Sequence, residues 1–393
     1  MLVEVHILQN FAPSNLNRDD TNSPKDCTFG GFRRARISSQ CLKRSIRRSP
    51  AFVEAVEGRV GVRTKLVHDR LADLLVEKGR ERSEATPRVK RALEAVGFKW
   101  DESHTAVLLF VDDGELKAWA DVLHEHWDAL GGSDEPAATE EEEKEPQKAK
   151  KRKSTKEKKA EAAGKVPSDV LKKLKDVMAS RERSGVDIAL FGRMVAEHTR
   201  MNVDAACQVA HAVSTHAVDL EMDFYTAVDD LQPKEDTGAG MMGVVEFNSA
   251  CFYRYAVIDL DQLVDNLGGT RGVARAAVLG FLKAAVKAIP TGKQNSFAAQ
   301  NPPDWVRVEV RRSPRSLVNA FAAPIRVNPG KPDLVEQSIA AAQQYASKLD
   351  SVFDDSDVRY VGTTTTKPDL CDSAVAFSRL LEQTEAALVA LET

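Results

Sequence analysis

The chain has 393 residues, a formal net charge of −4 and an isoelectric point near 6.1. Its overall charge therefore gives no support to nucleic-acid binding. Any such support would have to come from local clusters of charge. The five cysteines are widely spaced and form no Cys-x-x-Cys pair, which argues against a disulfide framework or a zinc site and predicts a reducing compartment. The N-terminus lacks the pattern of a signal peptide, and no apolar run approaches the ~20 residues that span a bilayer. We expect a soluble cytoplasmic protein with no membrane partner.

The first 50 residues predict a strand, a loop and a helix. Apolar and polar residues alternate over 3–7, a period of two that is typical of a β-strand. Residues 9–32 are rich in proline, asparagine, aspartate and glycine, which predicts a long loop. Ser38 or Ser39 can cap the helix that follows by accepting a hydrogen bond from the backbone of its first turn.

The middle of the chain is mostly helical in pattern, with one charged interruption. Apolar residues recur at helical spacing through 51–130. Residues 134–165 contain an acidic run, then a basic run, and no aromatic residue, so we interpret them as a disordered loop that cannot bury enough apolar surface to order. The apolar run 185–192 lies between glycines and predicts a buried strand, and the alanine-rich stretch 204–218 predicts a helix.

The remaining elements complete a mixed pattern. They are an extended hairpin over 223–243, strands over 245–258 and 306–310, and helices over 273–289, 334–353 and 370–391. This order predicts the α+β class, with a largely antiparallel sheet and helices on one face. The helical stretch from 59 to 184 would be an insertion into that domain.

The strongest local signal is a basic cluster over 33–48, which holds seven lysine or arginine residues and no acidic residue. On the predicted helix, Gln40, Lys43, Arg44 and Arg47 can share one face. The start of the helix adds free N–H groups and the positive end of its dipole, both of which favour phosphate. We interpret the cluster as a phosphate-binding surface, since we expect nothing acidic nearby to offset its charge.

Other candidate sites are weaker. The adjacent aspartates Asp19 and Asp20, like the pair at 229–230, could be metal ligands or acid–base catalysts, although a turn or a salt bridge is the commoner role. His211 and His216 are five residues apart rather than four, so they do not form the zinc motif H-E-x-x-H. We expect no metal and no cofactor. The aromatic residues over 247–255 could stack bases or simply form a buried strand.

Several short motifs stand out along the chain. Those near the N-terminus are 16–20 (LNRDD), 25–26 (KD), 29–31 (FGG), 33–40 (RRARISSQ) and 42–44 (LKR). Those further along are 185–194 (GVDIALFGRM), 224–231 (FYTAVDDL), 252–256 (FYRYA), 266–269 (NLGG) and 301–302 (NP). Together these motifs resemble the backbone family of type I-E CRISPR Cascade complexes, the CasC family, and follow the order of that family from residue 2 to about 302. The last 90 residues match less clearly, and the segment 134–165 is not part of the pattern.

The resemblance implies a modified RRM-like (ferredoxin-like) palm, a helical finger insertion and a hairpin thumb. The palm would comprise 1–58 with the basic helix, 185–222, and 244–393 with the C-terminal helices. The finger would comprise 59–184, and the thumb 223–243.

The resemblance also implies a function without catalysis. Copies of the chain would line up head to tail along a CRISPR guide RNA (crRNA), hold its sugar–phosphate backbone whatever its sequence, and displace bases at regular intervals. The guide would then pair with target DNA in antiviral defence. The implied RNA contacts are Asn17, Arg18, Lys25, Ser38, Gln40, Lys43, Arg44, Arg47, Met194, Phe224, Thr226 and Lys293.

The implied partners are the guide RNA, target DNA, other copies of the chain, and the large, small, 5′-handle-binding and guide-processing Cascade subunits. A recruited nuclease-helicase would destroy the target. Two alternatives remain open: a metal-dependent ribonuclease that uses loop aspartates, and a free-standing module that binds single-stranded RNA.

Overall fold

A computed structural model describes residues 1–131, 166–180, 185–228, 241–328, 330, 332–353 and 357–391. The chain divides into two compact units. The first consists of Met1–Gly58, Ala205–Asp265 and Gly269–Thr393, and the second of Arg59–Asp204 and Asn266–Gly268. The segment predicted to be a disordered loop, 134–165, lies outside the described residues, so that prediction stays untested.

Strands and helices are interspersed along the chain. The strands are β1 (Leu2–Ser14), β2 (Asp26–Phe29), β3 (Phe32–Ile37), β4 (Val62–Thr64), β5 (Trp100–Asp101), β6 (His104–Thr105), β7 (Leu109–Val111), β8 (Cys207–Val209), β9 (Ala212–Ser214), β10 (Glu221–Ala227), β11 (Met241–Asp259), β12 (Trp305–Arg311) and β13 (Tyr360–Thr365). The helices are α1 (Ser39–Arg47), α2 (Pro50–Ala55), α3 (Val67–Glu77), α4 (Arg82–Val96), α5 (Asp113–Glu125), α6 (Ser168–Met178), α7 (Val186–Phe191), α8 (Leu260–Asn266), α9 (Arg271–Lys287), α10 (Gln294–Phe297), α11 (Leu334–Phe353) and α12 (Phe377–Ala390).

The first unit is built on a sheet whose nine described strands are all antiparallel to their neighbours. Its order is β13-β12-β1-β11-β9-β3-β2, and β8 and β10 also pair with β11. Strand β1 lies inside the sheet, where Val5 is placed between Ala256 of β11 and Val308 of β12. This large antiparallel sheet with helices confirms the mixed α and β composition that the sequence predicts.

Helices cover both faces of the sheet, so the prediction of helices on one face is wrong. On one face, Ile7 of β1 lies beside Leu42 of α1 and Phe281 of α9. On the other, Leu8 belongs to a buried cluster with Ile339 of α11. The position of α11 could not be predicted, because the local sequence does not show which face of the sheet a C-terminal helix will cover.

The second unit is a helical bundle with two small antiparallel strand pairs, β4–β7 and β5–β6. Its core contains Leu71, Leu93, Trp119, Leu123, Leu174, Val195 and Met201. Because Val195 and Met201 pack in this core, the unit continues to Asp204, beyond the boundary of 184 expected for the insertion.

Three sequence assignments are wrong. The run 185–192 is the helix α7, whose residues are all buried and which ends at Gly192 with a left-handed φ of 77°. A short apolar run between glycines suits a buried helix or a buried strand equally well. The stretch 204–218 contains β8 and β9, because pairing with β11 overrides the helix preference of its alanines. The predicted loop 9–32 includes the end of β1 and all of β2.

The predicted hairpin over 223–243 is confirmed as two antiparallel strands, β10 and the start of β11. Its connection, 229–240, lies outside the described residues and includes the aspartate pair at 229–230. The predicted helices over 273–289 and 334–353 correspond to α9 and α11, whereas β13 is a strand that the sequence argument missed. Among the described helices, none is long and apolar enough to cross a membrane.

Candidate nucleic-acid interface

The start of α1 is tied to the loop that follows β1. Ser38 is the N-cap, and its Oγ accepts a hydrogen bond from the backbone N–H of Cys41 at 3.3 Å. The backbone N–H of Ser38 donates to Oδ1 of Asn17 at 2.8 Å. The backbone N–H of Lys25 donates to the carbonyl oxygen of Asn17 at 2.8 Å. Ser38 and Asn17 therefore fix the loop against the helix, whatever else they contact.

An open groove of about 890 Å³ runs beside α1. One wall is the loop 16–22, a second is α1 with the residues up to Pro50, and a third is the segment from Lys287 to Gly292, with Gln300. Four cationic side chains line it: Arg18, Arg44, Arg48 and Lys287. All four are exposed, and the lining includes one carboxylate, that of Asp19.

The carboxylate of Asp19 accepts hydrogen bonds from residues of its own turn. Its Oδ1 accepts hydrogen bonds from the backbone and hydroxyl of Thr21, at 2.9 and 2.8 Å, and from the backbone N–H of Ser23 at 3.0 Å. The hydroxyl of Thr21, with these backbone donors, holds the pKa of Asp19 below its usual value. The carboxylate stays ionised and shapes the loop, as expected of an aspartate in a turn.

The groove uses a different side of α1 from the predicted one. Successive residues of an α-helix are 100° apart, so Arg44 and Arg48 project together, next to the predicted face. Four residues of α1 were predicted to share one face. Of these, Arg44 lines the groove, whereas Gln40, Lys43 and Arg47 lie towards the adjoining side of the helix. The basic residues of α1 thus form two rows rather than one surface.

Part of the basic cluster is structural rather than available to phosphate. The guanidinium of Arg34 is fully buried and donates to the carbonyl oxygens of Ser214 at 2.9 Å and Phe321 at 2.7 Å. Arg33 forms an ion pair with Asp26, which precedes the cluster in sequence and pairs across from it in the β2–β3 hairpin. The interpretation of 33–48 as uniformly unopposed charge is therefore wrong for these two arginines.

A second positive group lies beside the loop. The carbonyl oxygen of Lys25 accepts from the backbone N–H of Arg36 at 2.9 Å, and the Arg36 guanidinium lies 3.0 Å from Nδ1 of His211. Partial burial, followed by the charges of Arg36 and Lys25, lowers the pKa of His211. The imidazole is therefore neutral and accepts from Arg36.

Gly292 brings the third wall of the groove against the loop. A Cβ at this position would lie 2.4 Å from the carbonyl oxygen of Leu16 and 2.7 Å from that of Asn15. Only a residue without a side chain permits this approach. Lys293 follows in left-handed backbone, with a φ of 50°, and is half-buried next to the groove rather than among its lining residues.

The hairpin β10–β11 presents an apolar face to solvent. Phe224 pairs with Val244, and Thr226 with Met242. Residues directly opposite each other in an antiparallel pair share a face. Phe224, Val244 and Met242 are 62, 58 and 66% exposed on this face, and the neighbouring Met222 is 69% exposed. We call these four residues the apolar stripe.

The remaining predicted contact, Met194, lies in the second unit and is 86% exposed. The first unit holds the other predicted residues. Sequence reasoning missed Arg48, Lys287, Thr291 and Gln300, which also line the groove. Arg48 belonged to the recognised basic cluster, but Lys287 and Thr291 reach the groove only because α9 ends beside α1.

The alternative roles considered for other residues are restricted by burial. Phe252 and Tyr253 are 3 and 2% exposed, so the base-stacking alternative is wrong for these two.

Among the described residues, one group has ligand atoms spaced for a metal, namely Glu4, His6 and Glu309. Glu309 is already paired with Arg307 at 2.6 Å and with Arg311 at 3.1 Å. The group is a buried ion-pair network of the sheet, in which carboxylates meet guanidinium groups.

The chain is similar over nearly its whole length to solved chains of CRISPR RNA-guided surveillance complexes. It resembles a solved chain described as "CRISPR RNA-guided surveillance complex, pre-nicking", with 31% identity and a TM-score of 0.80, over 99% of this chain and 100% of that one. It also resembles a chain described as "CRISPR RNA-guided surveillance complex", with 27% identity and a TM-score of 0.70, over 98% and 100%.

Residues 3–385 match the family described as CT1975-like protein, so the chain belongs to that family. The comparison with curated proteins gave no significant match.

Proposed function

We propose that this chain is a guide-RNA-binding backbone subunit of a type I-E CRISPR Cascade complex, with no catalytic activity of its own. The observation that carries the proposal is the groove beside α1, with Arg18, Arg44, Arg48 and Lys287 along it. The family membership and the two similar chains of surveillance complexes support the setting. In this proposal the first unit contains an RRM-like palm, the second contains the finger, and the hairpin β10–β11 is the thumb.

The chemistry of the groove suits a sugar–phosphate backbone. Guanidinium groups match phosphate geometry, and phosphate contacts fix a nucleic acid in place without reading its sequence. Asn17, Thr291 and Gln300 add neutral hydrogen-bonding groups to the same lining, which suit ribose hydroxyls. A subunit that must accept any guide requires contacts of this sequence-independent kind.

The proposed partners follow from this role. Copies of the chain would bind one guide RNA head to tail, beside the large, small, 5′-handle-binding and guide-processing subunits. Target DNA would be bound through pairing with the guide. All five cysteines are described and are free thiols, which supports our proposal of a reducing, cytoplasmic setting.

The ribonuclease alternative would use Asp19 through one carboxylate oxygen. Oδ1 accepts hydrogen bonds from Thr21 and Ser23, so Oδ2 would have to act as the general base or metal ligand. Incubating the assembled particle with complementary RNA and Mg²⁺ tests this alternative. Intact RNA is the expected result, and cleavage that Asp19→Asn abolishes would establish the ribonuclease.

The deciding experiment is affinity purification of the tagged chain from a cell that contains a CRISPR array, followed by sequencing of the bound RNA. We expect several other subunits and an RNA of uniform length that carries array sequences. A chain recovered alone, with RNA of mixed length and origin, would instead support the free-standing RNA-binding module.

A further inference from the structure

The turn that carries Met194 is closed by hydrogen bonds on both sides. Arg193 and Val203 exchange backbone hydrogen bonds of 2.9 Å in both directions. The backbone N–H of Val195 donates to Oδ1 of Asn202 at 2.6 Å. Arg193 and Val195 are 6 and 2% exposed, whereas Met194 between them is 86% exposed. A large apolar side chain is thus held out from a fixed backbone.

The guanidinium of Arg193 joins this turn to two other segments of the second unit. It donates to the carbonyl oxygens of Met201 at 2.8 Å and Phe110 at 3.0 Å. It also donates to both carboxylate oxygens of Glu115, at 2.8 and 2.9 Å. The two side chains are 3 and 1% exposed, so this ion pair is fully withdrawn from solvent.

Glu115 is itself held in place at the start of α5. Its backbone N–H donates to Oδ1 of Asp112 at 2.9 Å, and its Oε2 accepts from the backbone N–H of Asp112 at 3.1 Å. This capping box fixes the carboxylate before it meets Arg193. A buried ion pair adds little net stability compared with an apolar pair of similar volume. Its contribution here is therefore to fix the orientation of the two side chains.

We infer that Arg193, held by Glu115, is a positioning residue that fixes the turn presenting the Met194 thioether to a nucleobase of the bound guide. The inference rests on the proposed function. A thioether makes favourable contacts with aromatic rings, and a base displaced from its stack exposes such a ring. Because an exposed methionine is flexible, a rigid backbone is needed to keep the thioether at one point along the RNA.

The test compares three variants in particles assembled with guide RNA. Arg193→Met combined with Glu115→Gln removes both charges of the ion pair together, and a glutamine preserves the capping box. Met194→Ala removes the presented side chain alone. Arg200→Ala is the control, since this arginine lies in the same turn but is 74% exposed and forms a long ion pair of 3.9 Å with Asp176.

Two measurements are made on each variant: amide hydrogen exchange over 193–203 in the chain without RNA, and chemical reactivity along the guide in the particle. The paired Arg193 and Glu115 variant should exchange about tenfold faster or more over the turn, since charged hydrogen bonds are removed. It should also reduce the contrast between reactive and unreactive nucleotides to the same extent as Met194→Ala. Met194→Ala should leave exchange unchanged, and Arg200→Ala should change neither measurement.

A particle with normal contrast despite faster exchange would overturn the inference and leave the proposed function standing. Reduced contrast without faster exchange would also overturn it, because the effect would not come from the turn. A uniform reactivity pattern in the unmodified particle would instead overturn the proposed function, and the inference with it.

Discussion

Arg44 and Arg48 are the residues on which the RNA-binding proposal depends most directly. Replacing both with alanine should weaken binding to unrelated guide sequences alike, because the proposal assigns these arginines to phosphate groups. The slope of log affinity against log salt should fall by roughly 0.7 for each phosphate of the single strand that the variant no longer binds. Filter binding at several salt concentrations, with at least two unrelated guides, measures both effects.

Arg312→Ala with Arg359→Ala is the matched control for that measurement. These two arginines are exposed in the same unit but lie away from the groove. The control removes equal charge and should leave the salt slope nearly unchanged. Equal weakening by both pairs would mean that total charge, rather than the groove, determines binding.

Gly292 provides a test of the groove that alters no charge. Gly292→Ala should push the loop at Leu16 and Asn15 away, since its Cβ would come within 2.4 Å of backbone oxygen. We expect weaker guide binding with the fold retained, measured by filter binding and circular dichroism. Gly272→Ala in α9 is the control, because a Cβ there meets nothing within 4 Å. Unaltered binding by Gly292→Ala would show that the loop position does not matter.

At the level of residues, the sequence predicts the composition of the site better than its geometry. The basic cluster could be recognised because α1 carries its cations on a short helix with a clear cap. Sequence spacing cannot show that Arg34 is buried against carbonyl oxygens from distant segments. Nor can it bring Lys287 to the groove, which depends on how α9 packs. Local charge is visible in the sequence, whereas tertiary partners are not.

Among the elements, the hairpin β10–β11 has the most testable role. Met222→Ser, Phe224→Ser and Val244→Thr together would remove most of the apolar stripe. Because these side chains are at least 58% exposed, the stability of the chain should change little. The regular spacing of unstacked nucleotides on the guide should disappear, because the proposed thumb would lose Phe224 and the apolar side chains beside it. Chemical probing of the assembled particle measures the spacing, and thermal unfolding in parallel measures the stability.

The control for the hairpin is Val352→Ser with Phe353→Ser at the end of α11. These residues are 59 and 67% exposed, so they remove comparable apolar surface elsewhere. They should leave the spacing of reactive nucleotides intact. A regular pattern that survives removal of the apolar stripe would exclude the thumb role.

The misassigned stretch 204–218 has its physical cause in long-range strand pairing. β8 and β9 are three-residue strands whose state is decided by β11, far along the chain. By contrast, α1, α9 and α11 carry their own periodic apolar faces, and their positions were predicted closely. Elements decided by long-range pairing cannot be read from local sequence.

For the whole molecule, the charged segment 134–165 should be dispensable. Deleting it should leave a soluble chain that still assembles with guide RNA, because the segment lacks the apolar residues that a core requires. Size-exclusion chromatography with guide RNA compares the deletion variant with the full chain. Aggregation, or failed assembly despite a normal fold, would show that the segment contributes.

The buried network of the sheet predicts an unusual pH response. Burial raises the pKa of Glu4 to about 7 from 4.5 and lowers that of His6 to about 4 from 6.5. Between pH 4.5 and 6.5 the folded chain therefore retains a proton on Glu4 that the unfolded chain releases. It lacks a proton on His6 that the unfolded chain binds. The two contributions to the free energy of unfolding have opposite slopes and nearly cancel in this range.

Glu4→Gln should expose the His6 contribution by itself. A glutamine resembles the protonated carboxyl, so the chain should fold. Its stability relative to the unmodified chain should then rise with pH between 4.5 and 6.5, by at most about 3 kcal/mol. Thermal unfolding of both proteins across this range gives the difference, and parallel curves would contradict the prediction.

Strand β11 is a single 19-residue element that serves first as one side of the hairpin and then as a central strand of the sheet. Side chains alternate between faces along a strand, so the orientation of the apolar stripe is set by the same count of residues that sets the buried core. Insertions or deletions between these two parts should therefore be tolerated in even numbers, whereas an odd number would invert the face that the hairpin presents. The strand thus imposes a parity rule on how the length of this protein can vary during evolution.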